Sequence, residues 1–289
     1  MKMLGGNIMR KWKGLICIFL GALLVGTAGC TSTASALKTE ISDFLNVSEA
    51  MQEEMSQSIQ AIDKTAEGEN VTVHVQQTFG NNRELYVLYD VTFAESIDLS
   101  TGEEEGILPQ TVTLSGETEV GATGTRGSVD TIAIEGQTIT YLSYFESRLD
   151  QWPEGDLVFN LGTFEKIGPN GNILFADEVH EFSWAPTNQS NILKGDILSS
   201  EGEVIGRVSL SPFSLRYEID SSEQTEYADF VRTIFIVDHN GETTRARGFS
   251  GGGAVLNPLT NIKGSITFKE VLDLSNVSAV QIDGYTVAF

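Results

Sequence analysis

Sulfur chemistry is nearly missing from this chain. Its 289 residues hold two cysteines, Cys17 and Cys30, both within the first thirty positions. The chain beyond Cys30 can form no internal disulfide and has no thiolate to offer a metal or a substrate, so its fold must rest on packing. Histidine is scarce too. His74, His180 and His239 are far apart in sequence, and none has a second histidine three or four residues away, as a helical zinc motif needs. Positive charge is short: 18 basic side chains stand against 40 acidic ones, a net charge of −22. Such a surface repels nucleic acid and anionic headgroups, so no nucleic-acid partner is expected. Long apolar runs are lacking as well. The run from Leu15 to Val25 is roughly half the ~20 residues that a spanning helix requires.

What is present at the start of the chain is an address. Arg10, Lys11 and Lys13 precede the apolar run, and Gly26-Thr27-Ala28-Gly29-Cys30 follows it. A basic segment, a short apolar core and small residues before a cleavage point describe a secretory signal peptide. The cysteine after the small residues makes this segment resemble the lipobox of bacterial lipoproteins. Ala28 and Gly29 match that motif, and Thr27 stands where the family prefers Leu. Bulky Leu15 and Ile16 before Cys17 make it a poor competitor. The resemblance implies cleavage before Cys30 and modification of its thiol with diacylglycerol, a lipid that carries acyl chains such as palmitate. It places the protein on the outer face of the cytoplasmic membrane of a bacterium, Gram-positive by expectation. Two acyl chains hold a protein at a membrane where one does so only weakly. Cys30 is thus the one site residue expected, as a lipidation site, and the membrane is the first partner.

Removal of residues 1–29 takes four basic residues and no acidic one. That leaves 260 residues with a net charge of −26, enough for two units of roughly 100 to 130 residues, each with its own core. The charge reads as solubility at a crowded surface, or as attraction of cations and basic partners.

The expected organisation is a signal peptide over 1–29, a flexible tether over 30–40, an N-terminal helix with a first β-sandwich over 41–187, and a second β-sandwich over 188–289. Small polar residues mark the tether. Ile41, Phe44, Leu45, Met51, Met55, Ile59 and Ile62 recur at spacings of three and four, which predicts a helix to about Asp63, capped by Asn46 or Ser48. After Gly68 the period becomes two. Val71, Val73 and Val75 alternate with polar residues, Asn81-Asn82 offers a turn, and Leu85 to Phe93 alternates again, which predicts a hairpin. Further strands are expected at 111–115, 130–135, 138–145, 156–164 and 173–184. Beyond the linker Pro186 to Asn191, they are expected at 192–199, 203–211, 214–220, 230–238, 242–248, 264–268 and 279–288. Asn240-Gly241 predicts a type I′ turn. A short helical turn is expected at Val271 to Leu274. The fold class is therefore all-β: two tandem antiparallel immunoglobulin-like sandwiches behind one helix.

Catalytic signals are weak. Gly248-Phe249-Ser250-Gly251-Gly252 matches Gly-x-Ser-x-Gly, but no helix signal follows and no histidine lies downstream of the serine. Ser35-Ala36-Leu37-Lys38 sits in the tether, and Gly251-Gly252-Gly253 lacks the Lys-Ser/Thr of a phosphate loop. Asp98 with Glu103, Glu104 and Glu105 could ligate calcium or simply form a solvated loop, since the spacing fails the EF-hand pattern. Tyr141, Tyr144, Phe145 and Trp152 read as core packing, or as a platform for carbohydrate or peptide. No catalytic residue, metal ligand or cofactor is expected.

Arg83-Glu84-Leu85-Tyr86-Val87-Leu88-Tyr89-Asp90-Val91-Thr92 resembles the Leu-Tyr-Val-x-Tyr-x-Val strand of DUF4179-type extracytoplasmic domains of Firmicutes, which a second, DUF5643-like β domain often follows. That family includes membrane proteins resembling anti-sigma factors. About a dozen residues precede the apolar run here, too few to fold and grip a sigma factor. The resemblance therefore implies the outer sensing or scaffold part alone, and it carries over no catalytic residue. The expected function is that of a non-enzymatic, lipid-anchored envelope protein acting by protein interaction, as sensor, scaffold or accessory to an unknown envelope protein. The alternative is an extracellular ligand-binding lipoprotein for sugar, peptide or metal, for which a deep pocket lined by aromatics is required. A third possibility, an envelope hydrolase, requires two carboxylates or a Ser/His pair in one cleft.

Overall fold

Alternation of apolar and polar side chains becomes seventeen strands among the described residues, and every ladder between them is antiparallel. The computed structural model describes residues 39–47, 49–102, 106–116, 126–147, 151–152, 154–168, 171–220, 233–246, 248–254, 261–268 and 270–289. Residues 34–289 belong to one compact unit.

Before residue 185 the chain builds two facing sheets. The five-stranded sheet runs in the order β1 (Ile59–Glu67), β2 (Val71–Gly80), β3 (Glu84–Phe93), β6 (Thr138–Glu146), β5 (Arg126–Glu135). The three-stranded sheet is β4 (Leu108–Gly116), β7 (Leu157–Gly168), β8 (Gly171–Trp184). After residue 192 two more sheets follow. One has the order β14 (Gly248–Ala254), β15 (Asn261–Phe268), β11 (Ser214–Asp220), β10 (Val204–Leu210), β9 (Leu193–Leu198). The other runs β13 (Thr243–Arg245), β12 (Ile234–Asp238), β16 (Val277–Ile282), β17 (Tyr285–Ala288). The protein is all-β, as the alternation predicts.

The first core lies between the first two sheets. Val73, Val75, Val87, Tyr89 and Tyr141 meet Leu114, Phe159, Leu161 and Phe164 there. The phenols inside it are satisfied: Tyr89 Oη bonds Ser143 Oγ at 2.9 Å, and Tyr141 Oη donates to the carbonyl of Ile107 at 2.7 Å. Burial pushes both phenols far above the ordinary tyrosine range, so they stay neutral.

The opposite face of the five-stranded sheet is also apolar. Phe79, Tyr86, Leu88, Leu142 and Tyr144 are covered by Ile41, Leu45, Val47 and Met55 from the N-terminal segment, and by Phe213 and Val271 from the C-terminal part. Strand β3 is thus buried on both faces, and its neighbouring Leu85, Tyr86, Val87, Leu88 and Tyr89 are all buried. Full burial of one such side chain contributes about 1.5–3 kcal/mol. A separate core of Ile197, Val208, Leu210, Leu215, Ile236, Val280 and Ile282 fills the C-terminal sheets.

Several local expectations change. The helix ending near Asp63 is instead α1 (Thr39–Phe44) and α2 (Glu49–Glu54), followed by a 3₁₀ turn over Met55–Ser58 and then strand β1. Asn46 does not start a helix. Its φ of 53° ends α1, where the Val47 N–H reaches back to the Ser42 carbonyl at 2.8 Å, the left-handed exit that Asn tolerates. The Asn240-Gly241 hairpin forms, but only Gly241 has a positive φ. The Gly241 N–H bonds the Asp238 carbonyl, and Asp238 N–H bonds the Glu242 carbonyl. This is a three-residue loop with a glycine bulge rather than a type I′ turn. The last predicted strand is two, β16 and β17, separated by Asp283 and Gly284, whose φ values of 50° and 89° make the type I′ pair. The glycine-rich segment after Arg247 is strand β14. The short helical turn sits at Leu274–Asn276, capped by Asp273.

The predicted linker is stitched down. Asn188 is buried, and its Nδ2 donates to the carbonyls of Ser58 at 2.7 Å and Thr78 at 3.2 Å. The Thr187 N–H donates to Gln60 Oε1 at 2.9 Å. Among the described residues no helix is long and apolar enough to cross a membrane.

Candidate functional site

Among the described residues a buried polar cluster lies where the β2–β3 turn meets the β10–β11 turn, and the chain builds it from two similar turns. Asn81 Oδ1 accepts the N–H groups of Arg83 at 2.8 Å and Glu84 at 2.9 Å. Ser211 Oγ likewise accepts the N–H groups of Phe213 at 3.2 Å and Ser214 at 3.0 Å. Short side chains that bond the backbone two or three residues on favour such turns.

Glu84, fully buried, crosses between them. Its Oε2 accepts Ser211 Oγ at 2.7 Å and Asn81 Nδ2 at 3.2 Å, and its Oε1 accepts Ser214 Oγ and Arg83 Nη2. Arg83 Nη1 donates to Ser209 Oγ at 3.2 Å. Burial lowers the Arg83 pKa, and the carboxylate of Glu84 opposes that shift. Alongside, Arg216 Nε donates to Glu146 Oε1 at 2.6 Å, and its Nη2 to the Ser147 carbonyl at 3.0 Å. The Ser147 N–H bonds the Arg83 carbonyl at 2.8 Å, which closes the network.

An aromatic wedge adjoins these bonds. Phe79 and Tyr86 stack with centroids 4.6 Å apart, Tyr144 lies 4.8 Å from Tyr86, and Phe213 lies 5.5 Å from Tyr86. The cluster can hold surfaces together but has little reactive capacity. Its hydroxyls donate to a carboxylate rather than to a histidine base, and the carboxylate's lone pairs are taken. A buried ion pair of this kind costs desolvation and fixes geometry.

The residues singled out from the sequence lie elsewhere and apart. Cys30, the signal and the tether fall outside the described residues. Ser250 lies on strand β14, its backbone paired with Ile266, and not on a strand–turn–helix elbow. His74 Nε2 lies 2.9 Å from Asp63 Oδ1, while its Nδ1 faces Asp90 at 3.9 Å. The two carboxylates sit on opposite ring nitrogens and do not converge. His239 Nε2 meets the Ser275 carbonyl at 3.1 Å. Asp98 accepts from Ser100, whose side chain and backbone hold its carboxyl below the usual range; Glu103, Glu104 and Glu105 are outside the described residues. Tyr141, Tyr144, Phe145 and Trp152 are all buried in the cores, so they pack rather than form a platform. Among the described residues no group of three or more His, Cys, Asp or Glu is placed to hold a metal ion.

The sequence reading missed Arg83 and Glu84 as joint residues. In sequence they look like a solvated turn; the one hint was the hydroxyl-rich run Ser209-Leu210-Ser211-Pro212-Phe213-Ser214. Their partners become visible only when the two turns meet.

No family model and no curated protein matches this chain. Among solved structures, the chain is similar to a conserved domain protein from Bacillus anthracis, with a TM-score of 0.55 and 14% identity over 83% of each chain. That likeness concerns the fold. A second match, the N-terminal periplasmic domain of ScsB from Proteus mirabilis, has a TM-score of 0.24 and 9% identity over 80% of this chain and 96% of that one.

Proposed function

We propose that this protein is a non-enzymatic envelope component, lipid-anchored through Cys30 on the outer face of the cytoplasmic membrane, which acts by binding another envelope protein. The observation that supports this reading best is the joint centred on Glu84. It spends its charged, hydroxyl and aromatic groups on fastening one half of the fold to the other. The cleft aromatics that a sugar or peptide site between the halves would need are stacked on one another instead. A fixed arrangement of this kind suits a scaffold or sensor, because the surfaces on both halves are presented at a constant spacing. Apolar side chains available on such surfaces include Leu174 and Val179 on strand β8, both more than half exposed.

Two experiments test the reading. Replacing Cys30 with serine, or blocking the lipoprotein signal peptidase with globomycin, should leave an unprocessed precursor; unchanged processing and membrane retention would remove the anchor from the account. Cross-linking of the anchored chain in cells, followed by mass spectrometry, should recover a defined envelope protein. Recovery of the bait alone would count against action by interaction.

A further inference from the structure

At the far end of the first two sheets from the joint, the β1–β2 turn is fastened to strand β8 by a single carboxylate. Glu178 Oε1 accepts both the backbone N–H of Asn70 at 2.7 Å and its side-chain Nδ2 at 2.6 Å. The backbone is shaped to place this carboxylate. The β7–β8 ladder slips between Gly162 and Phe164, where Asp177 and Glu178 oppose Thr163 alone. Thr163 takes a φ of 51°, a region in which a β-branched residue is strained. Gly68 completes the fit, since a Cβ there would lie 1.8 Å from Glu178 Oε2 and 3.0 Å from His180 Cε1.

Two polar atoms in this corner have no hydrogen-bond partner among the described residues. Glu178 Oε2 and His180 Nε2 are buried and unbonded. They face each other at 4.0 Å, with the His180 side chain only 7% exposed, too far apart for a hydrogen bond. Buried polar atoms are seldom left this way.

We propose that Glu178 and His180 form an acid-responsive latch, in which one proton taken up by His180 releases the β1–β2 turn from strand β8. A neutral imidazole leaves Glu178 to Asn70. An imidazolium beside it demands either the carboxylate or water. A swing of Oε2 toward the ring draws Oε1 off the two Asn70 donors, and exit of the ring to water opens the corner. Both break the same fastening.

The surroundings give the sign. Glu178 is the charged group acting on the ring. Gly68 and Asn70 on the turn and Leu161 across the ladder carry no charge, and Glu67 and Glu69 beside Gly68 are exposed. Burial lowers the His180 pKa, and Glu178 opposes it more weakly. An opened ring titrates near the ordinary value of ~6.5, whereas the closed one takes its proton at lower pH. The closed form is therefore fully favoured above ~6.5 and loses ground as pH falls from there to the lowered value.

The test is amide exchange and ring titration by NMR on the chain. The protection factor of the Asn70 amide should fall on acidification below pH ~6.5, by up to about tenfold per pH unit, the limit set by one proton. Core amides such as that of Val87 should not follow. His180 should titrate below ~6.5, and His180→Gln should flatten the Asn70 profile. A ring that titrates at or above the ordinary value overturns the proposal. So does an Asn70 profile that stays flat, tracks the core, or persists in His180→Gln. Should that variant fail to fold, the unmodified chain's ring titration and Asn70 profile still decide. None of these outcomes depends on the lipid anchor or on a protein partner.

Discussion

The hydroxyl of Ser211 donates to Oε2 of Glu84 at 2.7 Å, across 127 residues of sequence. The bond joins a turn of the first sheets to a turn of the last ones. Removing the carboxylate should be costly. Glu84→Ala leaves Arg83 buried without its anion and the Ser214 hydroxyl without its acceptor, and breaking a buried pair in this way costs about 3–5 kcal/mol. Chemical denaturation should show a loss of that size, whereas an exposed carboxylate such as Glu201 should cost within about 0.5 kcal/mol when changed to alanine.

Phe213 should matter in the same place for a different reason. It is buried against Phe79 and Tyr86. Phe213→Ala would leave a cavity between them and destabilise by about 3–5 kcal/mol. If the wedge couples the two halves, their unfolding should also separate into two transitions. One transition with unchanged midpoint would contradict the packing described.

Thr163 offers a prediction of opposite sign. Its φ of 51° suits glycine, and its Oγ1 donates only to the exposed Asp177 at 3.1 Å. Relief of left-handed strain is worth about 1–3 kcal/mol, and the lost exposed bond less. Thr163→Gly should therefore leave thermal stability unchanged or raise it, read as a shift in Tm.

Ser250 should be inert. Its Gly-x-Ser-x-Gly setting is a β-ladder, so a serine-reactive fluorophosphonate should not label it, and Ser250→Ala should leave the chain's binding properties unchanged. Stoichiometric labelling would reopen the hydrolase reading.

The hairpin of β2 and β3 was legible because Val71, Val73 and Val75 on one side of Asn81-Asn82, and Leu85, Val87, Tyr89 and Val91 on the other, recur with a period of two, although a bulge at Gln76 interrupts it. Strand β1 was not. Met55, Ile59 and Ile62 continue the helical spacing by chance, and a bulge at Ile62 and Asp63 breaks the alternation that would have revealed a strand. Strand β14 escaped for another reason. Its glycines bring no pattern, and the ladder to β15 supplies the bonds that a side-chain signal would have announced. The joint was the least legible part of the molecule. Adjacent Arg83 and Glu84 read as surface charge, and nothing local reveals that a serine-rich turn more than a hundred residues away will bury them. The latch was equally hidden, because Glu178 and His180 look like two polar positions on an amphipathic strand.

The double-sided burial of β3 bears on how the protein is made. Phe79, Tyr86 and Tyr144 are synthesised well before Phe213 and Val271, which complete their cover. A growing chain therefore carries a partly roofed apolar sheet face until the segment from Phe213 to Val271 arrives. Its biogenesis should call on a holding factor at that stage, and a chain truncated before Phe213 should precipitate instead of persisting as a smaller soluble fragment.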